Sequence, residues 1–303
     1  MARSLIRVFL DTVDTWHKPA QYLRRGESGW EPLSADRVLA DVESLALGLR
    51  QVGVEPGERV AILAENRYEW VVTDLAVVGQ GGVTVPIYAT LTAEQCRAIL
   101  ADSGARLVCV SNALQLGKIR AVRASLPELR GAIVMDPVPD AGADEMTWSG
   151  LLARGATARL ADPGAFLRLA EAVKPDDLAT IIYTSGTTGE PKGAMLSHGN
   201  ISSNCESGLK VLDLGPSDTN LTFLPFSHVF ERMAGFYTML TAGVTTAFAR
   251  NMDLVAADAA EVRPTIITAV PRFFEKVRTR VLENARTLPV LRRGIFYWGL
   301  GEG

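Results

Sequence analysis

The sequence predicts an α/β protein with layered sheets flanked by helices, because helix-like and strand-like segments alternate along its 303 residues. Val38, Val42, Leu45 and Leu49 recur at the spacing of one helix face. A Pro-Gly turn then leads into the apolar run RVAIL at 59–63, which has the length and composition of a buried strand. Repetition of this order along the chain favours a largely parallel sheet.

Further segments continue the alternation, apart from 136–174, where weak periodicity predicts a connecting region with short helices. Thr92 and Gln95 have capping-box spacing, so a helix is expected to begin there. Other predicted helices span 69–78 and 197–211, lie between 249 and 265, and begin at Arg272. The other predicted strands span 83–87, 106–110, 131–135, 177–183, 221–225, 244–249 and 265–270.

Composition and charge argue against several classes of protein. Hydrophobic residues make up 48% and charged residues 21% of the chain, which is typical of a globular protein. Lys and Arg number 31 against 34 Asp and Glu, so no basic excess points to a nucleic-acid partner. Cys96, Cys109 and Cys205 are widely spaced and odd in number, which favours free thiols in a reducing cytoplasm over a disulfide framework.

The most apolar region, 70–87, is interpreted as a buried helix followed by a strand. It contains Asp74 and Gln80, which a membrane-spanning helix would have to place in hydrocarbon. Near the N-terminus, Asp11 and Asp14 interrupt the apolar stretch that a secretory signal would need. We therefore expect neither a transmembrane segment nor a signal peptide.

The segment YTSGTTGEPKG at 183–193 is predicted to bind nucleotide phosphates. Directly after a buried strand it collects hydroxyls, glycines and one lysine, namely Thr184, Ser185, Gly186, Thr187, Thr188, Gly189 and Lys192. Glycines let the backbone approach a ligand closely, and N–H groups exposed in such a turn form a concavity for anions. The alternative is a solvated polar loop, but a position at a strand's carboxyl end favours a ligand.

The loop differs from the P-loop of kinases and GTPases. That pattern places Gly before the lysine and Ser or Thr after it. Here Pro191 precedes Lys192 and Gly193 follows it. The spacing therefore disfavours a P-loop kinase.

A second cluster surrounds His228. Phe226, Phe230, Met233 and Tyr237 recur at helical spacing, which fits either one wall of an acyl tunnel or ordinary core packing. His228 itself is either a site residue or a structural histidine.

Other polar residues are given structural roles. Glu231 and Arg232 are expected to brace the second cluster by ion pairing. We expect His198 in the turn that begins a helix, with Ser197 as its cap, and His17 at the surface.

These motifs resemble the adenylate-forming (AMP-binding) superfamily. The loop at 183–193 matches its phosphate-binding signature, and LPFSHVFERM at 224–233 resembles its second motif. The HxxER form of that motif is similar to long-chain fatty acyl-CoA synthetases, as are VPIYAT at 85–90 and AVPRFFEKV at 269–277. The resemblance runs from near residue 20 to the last residue.

The resemblance implies a function. In this superfamily a fatty carboxylate attacks ATP to give an acyl-adenylate and pyrophosphate, and coenzyme A then displaces AMP. It implies that the residues from Thr184 to Gly189 cradle the β- and γ-phosphates, that Thr184 also faces Mg²⁺, and that Lys192 touches the outer phosphates. His228 is implied beside the carboxylate and the α-phosphate, which makes His228 and Lys192 the candidate catalytic residues. The candidate acyl-site residues are Phe226, His228, Phe230 and Met233.

The resemblance also implies an incomplete N-terminal domain of the adenylate-forming fold, with subdomains at 1–175 and 176–303. Full-length members continue into a second acidic motif that contacts magnesium and adenine and into an aspartate that binds the ribose. A small C-terminal domain follows these regions. We therefore expect this chain to be inactive or very weak by itself.

Two alternatives are a non-catalytic remnant that at most binds nucleotide, and a ligase for an aryl or amino acid. The three cysteines favour a cytoplasmic location. A long-chain substrate leaves open peripheral contact with the inner face of the membrane, and a homodimer is left open as well.

Overall fold

The apolar runs build two sheets in the computed structural model, which describes residues 2–185 and 191–301. Within these residues the strands are β1 Tyr22–Arg25, β2 Trp30–Leu33, β3 Arg59–Leu63, β4 Val83–Ile87, β5 Leu107–Val110, β6 Gly131–Val134, β7 Glu145–Thr147, β8 Leu178–Ser185, β9 Pro191–Ser197, β10 Thr219–Thr222 and β11 Thr245–Phe248. The chain divides into two compact units, Met1–Ile267 and Thr268–Gly303, and both sheets belong to the first.

Helices surround the sheets of the first unit and make up the second. Within the described residues they are α1 Leu5–Trp16, α2 Ala35–Gln51, α3 Tyr68–Gly79, α4 Ala93–Ser103, α5 Ala113–Val122, α6 Trp148–Ala161, α7 Ala165–Ala172, α8 His198–Leu209, α9 Met239–Thr241, α10 Val255–Val262, α11 Pro271–Arg286 and α12 Val290–Gly301. A 3₁₀ turn covers Arg123–Ser125, and a π-helix covers Glu231–Thr238.

The larger sheet has seven strands in the order β7-β6-β5-β3-β4-β8-β9. Its strands run parallel except for β9, which returns antiparallel to β8. The smaller sheet has the order β10-β11-β1-β2, with β10, β11 and β1 parallel and β2 antiparallel to β1. The predicted α/β fold with layered sheets is confirmed.

Helix α3 lies at the centre of the main core. Its residues from Trp70 to Gly79 are buried all round, including Asp74. This is the buried helix expected for the apolar region at 70–87, and β4 follows it as the expected strand. Among the described helices, none combines the length and the apolar character needed to cross a membrane.

The connecting region at 136–174 is more ordered than its weak periodicity indicated. It contributes strand β7 at the sheet edge and the 14-residue helix α6. Glycines let α6 lie against α2, because a Cβ at Gly155 would come within 1.6 Å of the Ser44 carbonyl oxygen. Because small and mixed residues form this contact, the apolar residues of the segment show no regular helical spacing.

One predicted strand is wrong. The segment 265–270 contributes an isolated bridge between Ile266 and Asn220, not a strand. The backbone N–H groups of Thr265 and Ile266 both donate to the Thr219 carbonyl, and the Ile266 carbonyl accepts from the Leu221 N–H. Among the described residues the backbone pairing of this segment goes no further. Pro264 and Pro271 bracket the segment, and neither can donate to a ladder. The subdomain boundary at 175 stays a prediction.

Candidate active site

The predicted phosphate loop is the tip of a β-hairpin. Strands β8 and β9 pair so that Thr184 lies opposite Lys192 and Ser185 opposite Pro191. Directly opposed residues project to the same face of a sheet, and both Thr184 and Lys192 are exposed. The hairpin therefore presents a hydroxyl and an ammonium group side by side. Four predicted loop residues lie outside the described residues, namely Gly186, Thr187, Thr188 and Gly189.

The hairpin is anchored just below its tip by Tyr183. The Tyr183 hydroxyl donates to Asp102 Oδ2 at 2.5 Å, which ties β8 to the end of α4. Burial, together with this carboxylate, raises the pKa of Tyr183, so the phenol keeps its proton. On the opposing strand a Cβ at Gly193 would meet the Ile181 side chain at 2.6 Å, so only glycine lies flat against β8 there.

The second cluster begins in a tight turn after β10. Asn66, which follows β3, holds this turn through both ends of its amide. Its Nδ2 donates to the Leu224 carbonyl at 2.6 Å, and its Oδ1 accepts from the Phe226 backbone N–H at 2.8 Å. Sequence reasoning missed Asn66, and its position at the carboxyl end of a parallel strand was the one available signal.

His228 is exposed at the end of this turn. Its Nδ1 accepts a hydrogen bond from the Phe230 backbone N–H at 3.1 Å. A neutral imidazole that accepts at Nδ1 carries its proton at Nε2, so Nε2–H is the donor that the ring offers outward. The His228 backbone is held as well, since its N–H donates to the Pro225 carbonyl.

One cavity of about 540 Å³ brings the two predicted motifs together, because Thr184 and His228 both line it. Pro191, beside Lys192, lines it as well. The rest of its wall is mainly apolar and includes Pro86, Leu91, Ile99, Ile182 and Val229. A hydroxyl and an imidazole at an apolar cavity suit a ligand with a polar head and an apolar body.

The candidate acyl-site residues occupy different environments. Phe226 is 1% exposed and packs on Trp70, with ring centroids 5.0 Å apart, while Tyr237 is fully buried. Phe226 and Tyr237 are therefore part of the packed core, the second of the two alternatives. Met233 is partly buried against the same core, and Phe230 is 40% exposed. Contact of Phe226, Phe230 or Met233 with an acyl chain stays a prediction.

Glu231 and Arg232 brace the cluster through different partners. Arg232 forms a buried ion pair with Asp74 of α3, which confirms the bracing role expected for it. Glu231 is also buried, but it accepts a hydrogen bond from the Thr222 hydroxyl at 2.6 Å and has no cationic partner among the described residues, so the expected ion pairing is wrong for this residue. Burial raises the pKa of Glu231 to about 8, and the carboxyl is neutral at pH 7.

The other two histidines lie where the sequence predicts them. Ser197 caps α8 in a capping box with Asn200, and His198 is the first residue of that helix. His198 is fully buried, and its Nδ1 accepts from the Leu5 backbone N–H at 3.1 Å. Burial lowers the pKa of His198 to about 4. His17 is exposed.

The donors at the cavity suit magnesium held together with a polyphosphate. Mg²⁺ prefers oxygen ligands and usually keeps several waters, taking the rest from a few protein oxygens and the phosphates. The exposed Thr184 hydroxyl is an oxygen donor of this kind. Over the described residues, no group of three or more His, Cys, Asp or Glu side chains is placed to hold a metal ion by itself.

Comparison with known proteins gives a family-model match over residues 14–299, to the family described as AMP-binding enzyme. The long-chain-fatty-acid–CoA ligase FadD15 of Mycobacterium bovis is 34% identical over 271 residues, covering 87% of this chain and 43% of that protein. The rat long-chain-fatty-acid–CoA ligase ACSBG2 is 32% identical over 290 residues, covering 92% of this chain and 43% of that protein. The chain thus spans less than half the length of these curated relatives.

Solved structures share the fold. The anthranilate CoA ligase AuaEII, in complex with anthranoyl-AMP, superposes with a TM-score of 0.79 at 21% identity, over 90% of this chain and 51% of that one. The N-terminal domain of FACL13 from Mycobacterium tuberculosis superposes with a TM-score of 0.74 at 26% identity, over 91% of this chain and 65% of that one. Both confirm the layered α/β architecture.

Proposed function

Since this chain belongs to the AMP-binding enzyme family, we propose that it carries the triphosphate-binding and acid-activating site of an AMP-forming, long-chain fatty acid:CoA ligase. The observation that carries the proposal is the shared cavity, where Thr184 of the phosphate hairpin meets His228 of the second motif. Similarity to two long-chain-fatty-acid–CoA ligases, at 34% and 32% identity, supports the choice of acid.

The proposed reaction has two steps. A carboxylate oxygen attacks the α-phosphorus of ATP, an O–P bond forms, and the bond to pyrophosphate breaks. The thiol of coenzyme A then loses its proton and attacks the acyl carbon, so that a C–S bond forms and AMP leaves. The first step brings two anions together, and therefore needs hydrogen-bond donors and positive charge that are already in place.

The hairpin supplies the group that binds phosphate. Lys192 is a flexible point charge that reaches phosphate oxygens from the strand opposite Thr184. Backbone N–H groups and hydroxyls of the loop 184–189 would bind the β- and γ-phosphates. The Thr184 hydroxyl would contribute to holding Mg²⁺, which offsets the charge of the departing pyrophosphate when bound.

His228 is proposed to act at the reacting centre. Its Nδ1 is occupied by the Phe230 N–H, so Nε2–H remains to donate. A donor aimed at the carboxylate and the α-phosphate stabilises the negative charge that develops as pyrophosphate departs. The mainly apolar wall of the same cavity supports an acid with an apolar body.

Binding and exchange experiments on this chain test the proposal. We expect MgATP to bind in calorimetric titrations, and acid-dependent exchange of pyrophosphate into ATP to be slow and greatest with palmitate. Larger exchange with benzoate or an amino acid would instead identify an aryl- or amino-acid ligase. Absence of both MgATP binding and exchange would favour a non-catalytic remnant.

Cytoplasmic location, membrane contact and a homodimer stay predictions.

A further inference from the structure

Arg232 lies at the centre of a buried polar network beneath the candidate site. Its side chain is 2% exposed, and Asp74, its ion-pair partner, is fully buried. The second carboxylate oxygen of Asp74 accepts from the Tyr237 hydroxyl at 2.6 Å. The guanidinium also lies over the ring of Trp70, at 5.6 Å from the centroid. Partners on several sides hold the guanidinium in one orientation.

The network connects the two motifs that meet in the cavity. Arg232 Nη1 donates to the Thr180 hydroxyl at 2.5 Å, and Thr180 belongs to β8, four residues before Thr184. The Arg232 backbone N–H donates to the His228 carbonyl at 3.0 Å. One residue therefore bonds to the strand that ends in the phosphate loop and to the histidine of the second motif.

The Thr180 hydroxyl completes the connection to the sheet. While accepting from Arg232, it donates to the Thr84 carbonyl of β4 at 2.7 Å. The Thr180 hydroxyl thus links Arg232 to two neighbouring strands, β4 and β8. An arginine suits this task because its planar fork donates to two acceptors at once, whereas a lysine ammonium has no such fixed geometry.

We infer that Arg232 is a positioning residue, which holds His228 in register with the phosphate-binding end of β8 through its bond to Thr180. The inference rests on the proposed function, because it assigns this network to the same site. If Arg232 only stabilised the fold, the effect of changing Thr180 on MgATP binding would not depend on His228.

Thr180→Val is the sharpest test, because valine keeps the shape of threonine and leaves the Arg232–Asp74 pair intact. Replacing Arg232 itself would leave Asp74 buried without its counter-charge and endanger folding. Thr84→Val is the matched control. It makes the same change on the paired residue of the adjacent strand, where the buried hydroxyl has no hydrogen-bond partner among the described residues.

The experiment measures MgATP affinity by calorimetry in the 303-residue chain, with each threonine variant made in the wild-type and the His228→Ala backgrounds. Urea unfolding reports stability alongside. We expect Thr180→Val to weaken MgATP binding about three- to tenfold, the range of one lost hydrogen bond from His228 to the nucleotide, and Thr84→Val to leave it unchanged. In the His228→Ala background, Thr180→Val should cause no further loss, since its effect is exerted through the histidine.

Other outcomes would overturn the inference. An equal loss in both backgrounds would mean that Thr180 acts independently of His228. Full affinity in Thr180→Val would mean that the bond to Arg232 is not needed for positioning. Both results leave the proposed function standing, whereas a wild-type chain that fails to bind MgATP overturns the proposed function and this inference with it.

Discussion

Thr184 and Lys192 are directly opposed residues of the β8–β9 hairpin, and both are exposed. A hydroxyl and an ammonium that share one face of a hairpin form a polar pair suited to phosphate oxygens. Thr184 in turn lines the cavity that contains His228.

Lys192→Ala is expected to weaken MgATP binding about tenfold, because it removes the one charged group predicted to reach the outer phosphates. The free energy of unfolding should change by less than about 0.5 kcal/mol, since the side chain is exposed. Calorimetric titration and urea unfolding measure the two effects. Lys210→Ala, the same change at an exposed lysine at the end of α8, is the control, and equal losses in both variants would contradict the assignment.

His228→Ala is expected to abolish the already slow acid-dependent exchange of pyrophosphate into ATP, because losing one donor to a developing charge lowers such rates about 100-fold. The fold should persist, because the ring is exposed. His17→Ala, at an exposed histidine that ends α1, should leave exchange unchanged. A His228→Ala chain that unfolds, or that exchanges at the wild-type rate, would favour a structural histidine.

His198 is expected to make the protein less stable in acid. Its pKa is about 4 in the fold, where burial disfavours the charged ring, against 6.5 for an unperturbed histidine. The unfolded chain therefore binds a proton first, and stability falls as pH drops from about 6.5 to about 4, by on the order of 3 kcal/mol. Urea unfolding at several pH values measures the slope.

His198→Asn is the variant that isolates this slope, because its amide oxygen can still accept from the Leu5 N–H. It should remove most of the change in the free energy of unfolding between pH 4 and 6.5, whereas His17→Asn should leave that change as in the wild type. A wild-type slope in His198→Asn would place the titrating group elsewhere.

Glu231 should produce the opposite dependence. Its pKa is raised by burial from 4.5 to about 8, so the folded protein retains a proton that the unfolded chain has lost. Stability then falls as pH rises from about 4.5 to about 8, by on the order of 5 kcal/mol. Glu231→Gln keeps the shape, cannot ionise, and should be more stable than the wild type at pH 8.5 with little difference at pH 4.5. If the variant and the wild type were equally stable at pH 4.5 and again at pH 8.5, Glu231 would be ionised in the fold.

Local signals in the sequence identified much of this fold. The capping box at Thr92 and the predicted cap at Ser197 begin helices in the structure, and the apolar runs at 59–63 and 83–87 are adjacent parallel strands. Such signals depend on residues a few positions apart. Strand β9 was missed because its side chains are mostly exposed and include Pro191 and Gly193, which are rare inside strands.

The parts of the site that sequence reasoning missed depend on long-range contacts. Asn66 bonds to the turn at Leu224 and Phe226, about half the chain away. The Asp74–Arg232 pair joins residues that are 158 positions apart. No spacing rule links such positions, because packing of α3 against the π-helix brings them together. From the sequence alone, Asp74 indicates only that the segment 70–87 does not span a membrane.

The central claim is that the hairpin and His228 bind one triphosphate together, and a histidine NMR spectrum with MnATP in place of MgATP tests it most directly. Mn²⁺ takes the same oxygen ligands as Mg²⁺, and its unpaired electrons broaden nearby resonances with a steep dependence on distance. We predict selective broadening of the His228 ring signal, with His17 and His198 unaffected. A His228 signal that stays sharp while MnATP is bound, or equal broadening of all three histidines, would contradict the account.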